Sequence, residues 1–384
     1  MKLSKSRLGK AVYGMLATTL VWALSVNPVA AEKAEVYHAY TNPNTKEAYY
    51  NAYITTDDGQ AHRKVLSRTK DGTWYVLPDT VTQVWGDELS PYVRVMTKGL
   101  NPQPFGEVYL DTAGDRLVGK VGYQNSPSGK FGIRKVIYFE GYSKRVALFV
   151  KNNQNGVIRQ AWDGWEWPVT YWLPDGSLLF ERYSETAKQN EIVRLDPDTL
   201  KTQRLLLASL LGYDEQRGEL LLTYNEPTRQ PYLYDVRTRK VRGVTEHEVQ
   251  AFYERVQCSA STKAPEVPDD LNANQLPVKA LEYVQEGEAN LIINGKQIEL
   301  PFAFLGMDQK LYVPILPVSE SLNWEVERSA DSNMKAYRYM VSTETRSIQV
   351  DRSNSKVIED RLYLQDDVLT KLVSEWRFEW NPVK

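Results

Sequence analysis

Leu173-Pro174-Asp175-Gly176-Ser177-Leu178-Leu179-Phe180 is the stretch on which the fold turns. Pro presets its φ, Asp hydrogen-bonds its own backbone, and Gly takes a left-handed conformation, so Pro-Asp-Gly reads as a tight turn. Leu178 to Phe180 then forms an apolar run bounded by turn signals, as expected of a buried strand. Glu191-Ile192-Val193-Arg194-Leu195-Asp196 supplies a further strand, and Thr199-Leu200-Lys201-Thr202 closes the set. The pattern recurs as Tyr213-Asp214, Gly218-Glu219-Leu220-Leu221-Leu222, Tyr232-Leu233-Tyr234-Asp235-Val236 and Thr238-Arg239-Lys240-Val241. Gly176 maps onto Gly218 and Val193 onto Leu233, a period of about 40 residues that matches one four-stranded propeller blade. One blade cannot bury both of its faces, so blades must stack.

Earlier copies are degenerate, as in Tyr142-Ser143-Lys144-Arg145-Val146-Ala147-Leu148-Phe149. Strands are also expected at Tyr49 to Thr55, Trp74 to Leu77, Val108 to Leu110 and Arg116 to Val121, separated by Gly and Asp turns. The strings "D-G-x-L-L-F" and "I-x-x-L/Y-D-x-x-T" resemble the TolB-like and WD-type β-propellers. That resemblance implies a propeller-like domain over residues 32–257, with room for five blades or six short ones. A pair of β-sandwiches is the alternative. Val249, Phe252, Tyr253 and Val256 recur at helical spacing within Glu246 to Val256. Residues 258–279, rich in Pro, Ser, Thr and acids, read as a linker.

Residues 280–384 carry a second pattern. Leu291-Ile292-Ile293-Asn294-Gly295-Lys296 is a strand entering an Asn-Gly turn, and Leu311-Tyr312-Val313-Pro314 leads into Ile315, Val318 and Leu322, then Trp324. Arg361-Leu362-Tyr363-Leu364 echoes Lys310 to Val313, and Val368, Leu369, Leu372 and Val373 give a second helical face before Trp376-Arg377-Phe378. This region resembles the copper amine oxidase N-terminal-like domain, a stalk module of bacterial surface proteins. Leu316 stands where that family often has Arg, and Asn323 stands where it has a helix-ending Gly. The expected fold class is therefore mainly β: an N-terminal β-propeller-like domain plus a small C-terminal α+β stalk-type domain.

Residues 1–31 read as a signal peptide. Lys2, Lys5, Arg7 and Lys10 precede an apolar run from Ala11 to Val26, then Asn27-Pro28 and Val29-Ala30-Ala31, which places cleavage after Ala31. The run is shorter than the roughly 20 residues of a membrane span; the alternative is an uncleaved anchor. The expectation is a secreted or cell-surface protein without a membrane span after cleavage. The single Cys258 permits no intramolecular disulfide and fits a Gram-positive-like host.

The formal charge of −2 becomes more negative without the four cations of the leader, which disfavours nucleic acid as a partner. Three histidines, His38, His62 and His247, lie far apart in sequence, so no metal site and no cofactor is expected. No Gly-x-Ser-x-Gly elbow, HExxH or phosphate-cradling loop is present, and no catalytic residue is assigned.

One cluster stands out: Trp162-Asp163-Gly164-Trp165-Glu166-Trp167. Asp163-Gly164 reads as a turn, with Trp165 and Trp167 on one face of the following strand and Glu166 on the other. Flat indoles beside carboxylates suit sugar rings, which makes Trp162, Asp163, Trp165, Glu166 and Trp167 the candidate ligand-binding residues. The competing use of such rings is packing between blades. The functional expectation is an exported, non-catalytic binding or scaffolding protein of the cell envelope, with a cell-wall polymer, a glycan or another exported protein as partner. The alternative is a secreted glycan-acting hydrolase or lyase using propeller carboxylates.

Overall fold

The computed structural model describes residues 33–42, 44–55, 61–85, 92–98, 106–140, 143–224, 230–257, 268, 271–329, 338–358 and 361–382. The leader with Ala31, and Cys258, lie outside the described residues. The chain is mainly β, built of short antiparallel meanders. It divides into two compact units. One comprises residues 1–100, 110–116 and 265–282; the other comprises 101–109, 117–264 and 283–384.

In the first unit, β1 (Lys33–Thr41), β2 (Ala48–Thr55), β3 (Ala61–Arg68) and β4 (Trp74–Val76) form one four-stranded sheet in chain order. Along β2 the pleat alternates. Ala48, Tyr50, Ala52 and Ile54 enter a core with Leu66, Val76 and Ala273, and the odd-numbered residues take the opposite face. β5 (Val81–Trp85) pairs antiparallel with β6 (Tyr92–Thr97).

The second half of the expected linker is packed rather than free. A 3-10 turn at Ala273–Gln275 brings Leu271, Ala273 and Leu276 onto that core. The Val76 N–H donates to Pro277 O at 3.0 Å, and the Lys279 N–H to Val76 O at 2.8 Å. The Lys279 ammonium reaches Glu47 (2.8 Å) and Asp115 (2.6 Å). Composition predicts a linker here because Pro and Ser lower β-propensity; a few apolar side chains and one ion cluster override it.

The second unit takes in most of β7 (Gly106–Asp111) and β8 (Arg116–Val121), and contains β9 (Gln124–Asn125), β10 (Phe131–Glu140), β11 (Ser143–Asn152) and β12 (Ile158–Gly164). Two further meanders follow: β13 (Thr170–Trp172), β14 (Leu178–Ser184), β15 (Gln189–Leu195) and β16 (Thr202–Leu207); then β17 (Ser209–Asp214), β18 (Glu219–Thr223), β19 (Pro231–Asp235) and β20 (Val241–Gly243). Each is one blade, and the 40-residue repeat is its sequence trace. The physical logic lies in the alternation of side chains. Leu178 and Phe180 of β14 pack with Val146, Leu148 and Val150 of β11, while Leu179 faces the other way, toward Leu220 and Leu222 of β18. Leu221 of β18 faces Phe252 of α1 (Glu246–Gln257), which covers the last blade. Strands apolar on both faces require a neighbour on each side, and here the neighbour is a blade or, at the end, an amphipathic helix.

The repeat also explains the turns. Asp196 and Asp235 each close the hairpin to the fourth strand of a blade. Their carboxylates accept the N–H groups two and three residues on, and their carbonyls accept the N–H of Leu200 and Arg239 at 2.8 Å. That bond holds Leu200 at φ 58° and Arg239 at φ 59°. A left-handed L residue costs roughly 1–2 kcal/mol, part of which glycine recovers. Because Arg239 is exposed, Arg239→Gly is expected to stabilise the protein by about 0.5–1 kcal/mol. A thermal midpoint unchanged or lowered by the substitution would contradict this account of the turn.

The C-terminal region supplies β21 (Glu282–Gln285), β22 (Ala289–Ile293), β23 (Lys296–Leu300), β24 (Phe304–Leu305), β25 (Leu311–Pro314), α2 (Ile315–Leu322), β26 (Glu325–Ser329), β27 (Arg338–Ser342), β28 (Ser347–Val350), β29 (Ser355–Ile358), β30 (Arg361–Gln365), α3 (Asp366–Leu372) and β31 (Trp376–Trp380). The two echoing segments are strand–helix units whose strands pair with each other, Tyr312 opposite Gln365 and Val313 opposite Leu364. Ile315 and Val318 of α2 and Val368, Leu369 and Leu372 of α3 enter one core. Asn323 caps α2 in the left-handed conformation, at φ 55° and ψ 41°.

The compact unit does not end at residue 280. β24 pairs in parallel with β12 through Arg159 and Leu305, so one sheet runs β29-β30-β25-β24-β12-β11-β10-β9. The reason is burial. The second face of β11, carrying Ala147 and Phe149, is covered by Phe302, Phe304, Tyr312 and Tyr363 rather than by another four-stranded blade. Among the described residues, no helix is long and apolar enough to cross a membrane.

Candidate functional site

Antiparallel register gathers one end of the blades in the second unit. The ends of β12, β14 and β18 lie there with the starts of β13, β15, β17 and β19, since Gly164 pairs with Val146, Ser184 with Gln189 and Thr223 with Ser209 and Pro231. The segment from Trp165 to Val169 crosses this end from β12 to β13. The large exposed side chains here are Trp165 (53 %), Trp167 (50 %), Val169, Tyr183 and Tyr224. Tyr224 stacks on Tyr232 with ring centroids 4.0 Å apart.

The five expected ligand-binding residues divide. Trp162 is only 9 % exposed and meets Phe180 edge-on at 6.0 Å, so it belongs to the contact between two blades. Asp163 and Gly164 are not a turn, as the sequence suggested; they complete β12, paired with Ala147 and Val146. The turn reading assumed local hydrogen bonding by Asp163, but its carboxylate is claimed by neighbouring strands. Gly164 is needed because a Cβ there would run into the Trp162 indole. Nor do Trp165, Glu166 and Trp167 sit on a strand. They lie in the connection before β13, where Pro168 could not donate to a ladder in any case.

Around this segment, cations and acids are already satisfied. The Asp163 carboxylate accepts from the Tyr138 hydroxyl, from Arg145 Nε (2.7 Å) and from Gln160 Nε2 (3.1 Å). The Arg145 guanidinium lies 4.5 Å over the Trp165 ring. The Lys135 ammonium lies 5.2 Å from the Trp167 ring centroid and donates to Pro168 O and Thr170 Oγ1, both at 3.2 Å. Burial lowers the Lys135 pKa. Each exposed indole is thus backed by a cation that orients it.

Glu166 is exposed, and its charge reaches Glu181. The Glu181 pKa is raised, chiefly by burial and in smaller part by Glu166. Glu181 accepts from Leu210 N (2.9 Å) and Asn190 Nδ2 (2.5 Å). Sequence reasoning missed Lys135, Tyr138, Arg145 and Glu181. They come from strands outside the tryptophan cluster, and nothing local in β10, β11 or β14 announces an end-facing side chain.

The histidines are dispersed on β1, β3 and α1, and the His38 pKa is lowered by burial. Among the described residues, no group of three His, Cys, Asp or Glu side chains is arranged to hold a metal ion.

No family model matches the chain. No curated protein matches it either. Among solved structures, it is similar to the acylaminoacyl peptidase of Pyrococcus horikoshii, at 10 % identity and a TM-score of 0.37 over 83 % of this chain and 59 % of that one. It is also similar to the β-propeller domain of the trilobed protease of Pyrococcus furiosus, at 11 % identity and a TM-score of 0.34 over 83 % and 97 %. TolB of Acinetobacter baumannii aligns at 14 % identity and a TM-score of 0.25 over 96 % and 72 %. The chain spans less than two thirds of the length of the acylaminoacyl peptidase. The copper amine oxidase N-terminal-like resemblance finds no support in these comparisons. The chain's own meanders, each apolar on both faces, make it a mainly β protein with propeller-like blades.

Proposed function

We propose that this chain is an exported, non-catalytic binding or scaffolding protein of the bacterial cell envelope, and that the blade end carrying Trp165 and Trp167 binds a glycan. The observation that carries this reading is the pair of half-exposed indoles flanking Glu166, each fixed from behind by Arg145 or Lys135. Pre-oriented flat rings beside a carboxylate offer stacking faces and hydroxyl acceptors at little entropic cost. The N-terminal basic and apolar segment ending at Ala31 supports export. The region after residue 280, with its stalk-like sequence pattern, is assigned to attachment to a cell-wall polymer or another exported protein.

Trp165→Ala and Trp167→Ala are each expected to weaken retention on cell-wall polysaccharide by about tenfold, near 1.4 kcal/mol. Both should leave thermal stability within about 0.5 kcal/mol of the parent. Full retention by both variants would refute the sugar-face reading.

A second reading, a glycan-acting hydrolase or lyase, is favoured by one observation: the Glu181 pKa is raised, chiefly by burial and in smaller part by the charge of Glu166, and a raised carboxyl is what a general acid needs. It ranks second because Glu181 is committed to the Leu210 N–H and the Asn190 amide, and Asp163 to Arg145. Turnover of labelled glycan that is lost in Glu166→Gln would reverse that order.

A further inference from the structure

A second concave site lies in the first unit, on the face of the β1–β2–β3 sheet turned away from its core. A shallow, open depression of about 430 Å³ lies there, lined by Glu35, Tyr37, Asn51 and Tyr53. The register builds it. Glu35 pairs with Tyr53, and Tyr37 with Asn51, so the four side chains share one face of two adjacent strands. The two tyrosine rings stand nearly perpendicular, at 75° with centroids 5.9 Å apart. The Tyr37 hydroxyl donates to Glu35 Oε2 at 3.0 Å, which fixes the carboxylate beside the rings. Asn51 forms a rigid floor: its amide donates to Val84 O at 2.9 Å and accepts from Val84 N at 2.8 Å, so it is locked to β5.

A tyrosine pair in edge-to-face contact with a carboxylate beside it attracts a cation, through an exposed ring face and through charge. The protein itself demonstrates the attraction: Arg63, paired with Tyr53 on the neighbouring strand, places its guanidinium 5.5 Å over the Tyr53 ring. Tyr37, 54 % exposed, carries no such internal cation among the described contacts. Glu35 adds a charge attraction for a cation and would repel an anion.

We propose that the Glu35–Tyr37–Tyr53 cleft is a binding site for an alkylammonium group carried by a ligand, independent of the blade-end site. Choline is the probe, and 3,3-dimethylbutan-1-ol, its uncharged isostere, is the control. In ligand-observed NMR titrations of the full exported chain, choline is expected to bind about fivefold more tightly than the alcohol. Glu35→Gln and Tyr37→Leu should each weaken choline by about fivefold, while Tyr37→Phe, which keeps the ring, should stay within about twofold. Arg63→Gln removes the competing internal cation and should tighten choline by about twofold. Glucosamine and Nα-acetyl-lysine amide, titrated in parallel, identify an amino sugar or a lysyl side chain as the carrier; binding of either that is sensitive to Glu35→Gln supports the proposal. Equal affinity for choline and the alcohol, or choline binding untouched by Glu35→Gln in a variant with the parent's circular dichroism spectrum, overturns it. Because Trp165 and Trp167 are not altered, either outcome is separable from the fate of the glycan reading.

Discussion

Lys151→Met is expected to destabilise the protein by about 3–5 kcal/mol at neutral pH, since it leaves a buried carboxylate without its counter-charge. Lys151 on β11 forms an ion pair with Glu288, and the two side chains are 6 % and 9 % exposed. The Glu288 pKa is raised, chiefly by burial, which the Lys151 charge opposes. Removing Lys151 removes the opposing influence, so folded Glu288 should hold its proton to still higher pH. A carboxyl with a raised folded pKa favours the folded state when protonated. The penalty of Lys151→Met should therefore shrink as pH falls from 7 toward the ordinary Glu value near 4.3 and grow again as pH rises. Lys151→Met combined with Glu288→Leu removes both charges and should recover most of the loss, because an apolar pair of similar volume is often neutral or better. Urea midpoints of the three variants at two pH values test this. A single-variant loss below about 1 kcal/mol at pH 7 would mean that the pair is hydrated.

Phe180→Ala should cost about 3–5 kcal/mol, the usual effect of truncating a fully buried aromatic. Phe180 is wholly buried on the face of β14 that meets Trp162, Leu148 and Val150. Its neighbour Leu179 is equally buried but serves the next blade, with Leu220 and Leu222. The stacking of blades through both faces of one strand therefore predicts that Phe180→Ala couples to Trp162→Phe in a double-mutant cycle, while Leu179→Ala does not. Trp165→Ala, only three residues beyond Trp162, should do almost nothing to stability. Equal stability losses at Trp162 and Trp165 would remove the distinction between packing ring and surface ring.

That distinction shows where sequence reading stopped. The blades at β13–β16 and β17–β20 were legible because each needs the same turn chemistry at the same step: Gly176 and Gly218 both at positive φ, Asp196 and Asp235 both capping a hairpin. The strand–helix echo around Leu311 and Leu362, the helix at Glu246 and the left-handed Asn323 were legible for the same local reasons. The division of the Trp162–Trp167 cluster was not. All three tryptophans have the same chemistry; which of them is buried depends on Phe180, 18 residues further on, and on a β12 that continues through Asp163 to Gly164. The boundary expected at residue 280 missed for a related reason: an Arg159–Leu305 pairing leaves no local trace.

Alone, the amino-acid order determined the elements and their repeat, because turns, caps and apolar alternation are governed by residues within a few positions of one another. Tertiary structure decided which side of each element is covered, and by what. Phe302 and Phe304 close the sheet of β9–β12, Leu276 and Lys279 pack where a linker was expected, and Lys135 and Arg145 come to stand behind the exposed indoles. Burial and charge pairing act between residues that are distant along the chain. Their outcome is therefore fixed only when the sheets have met.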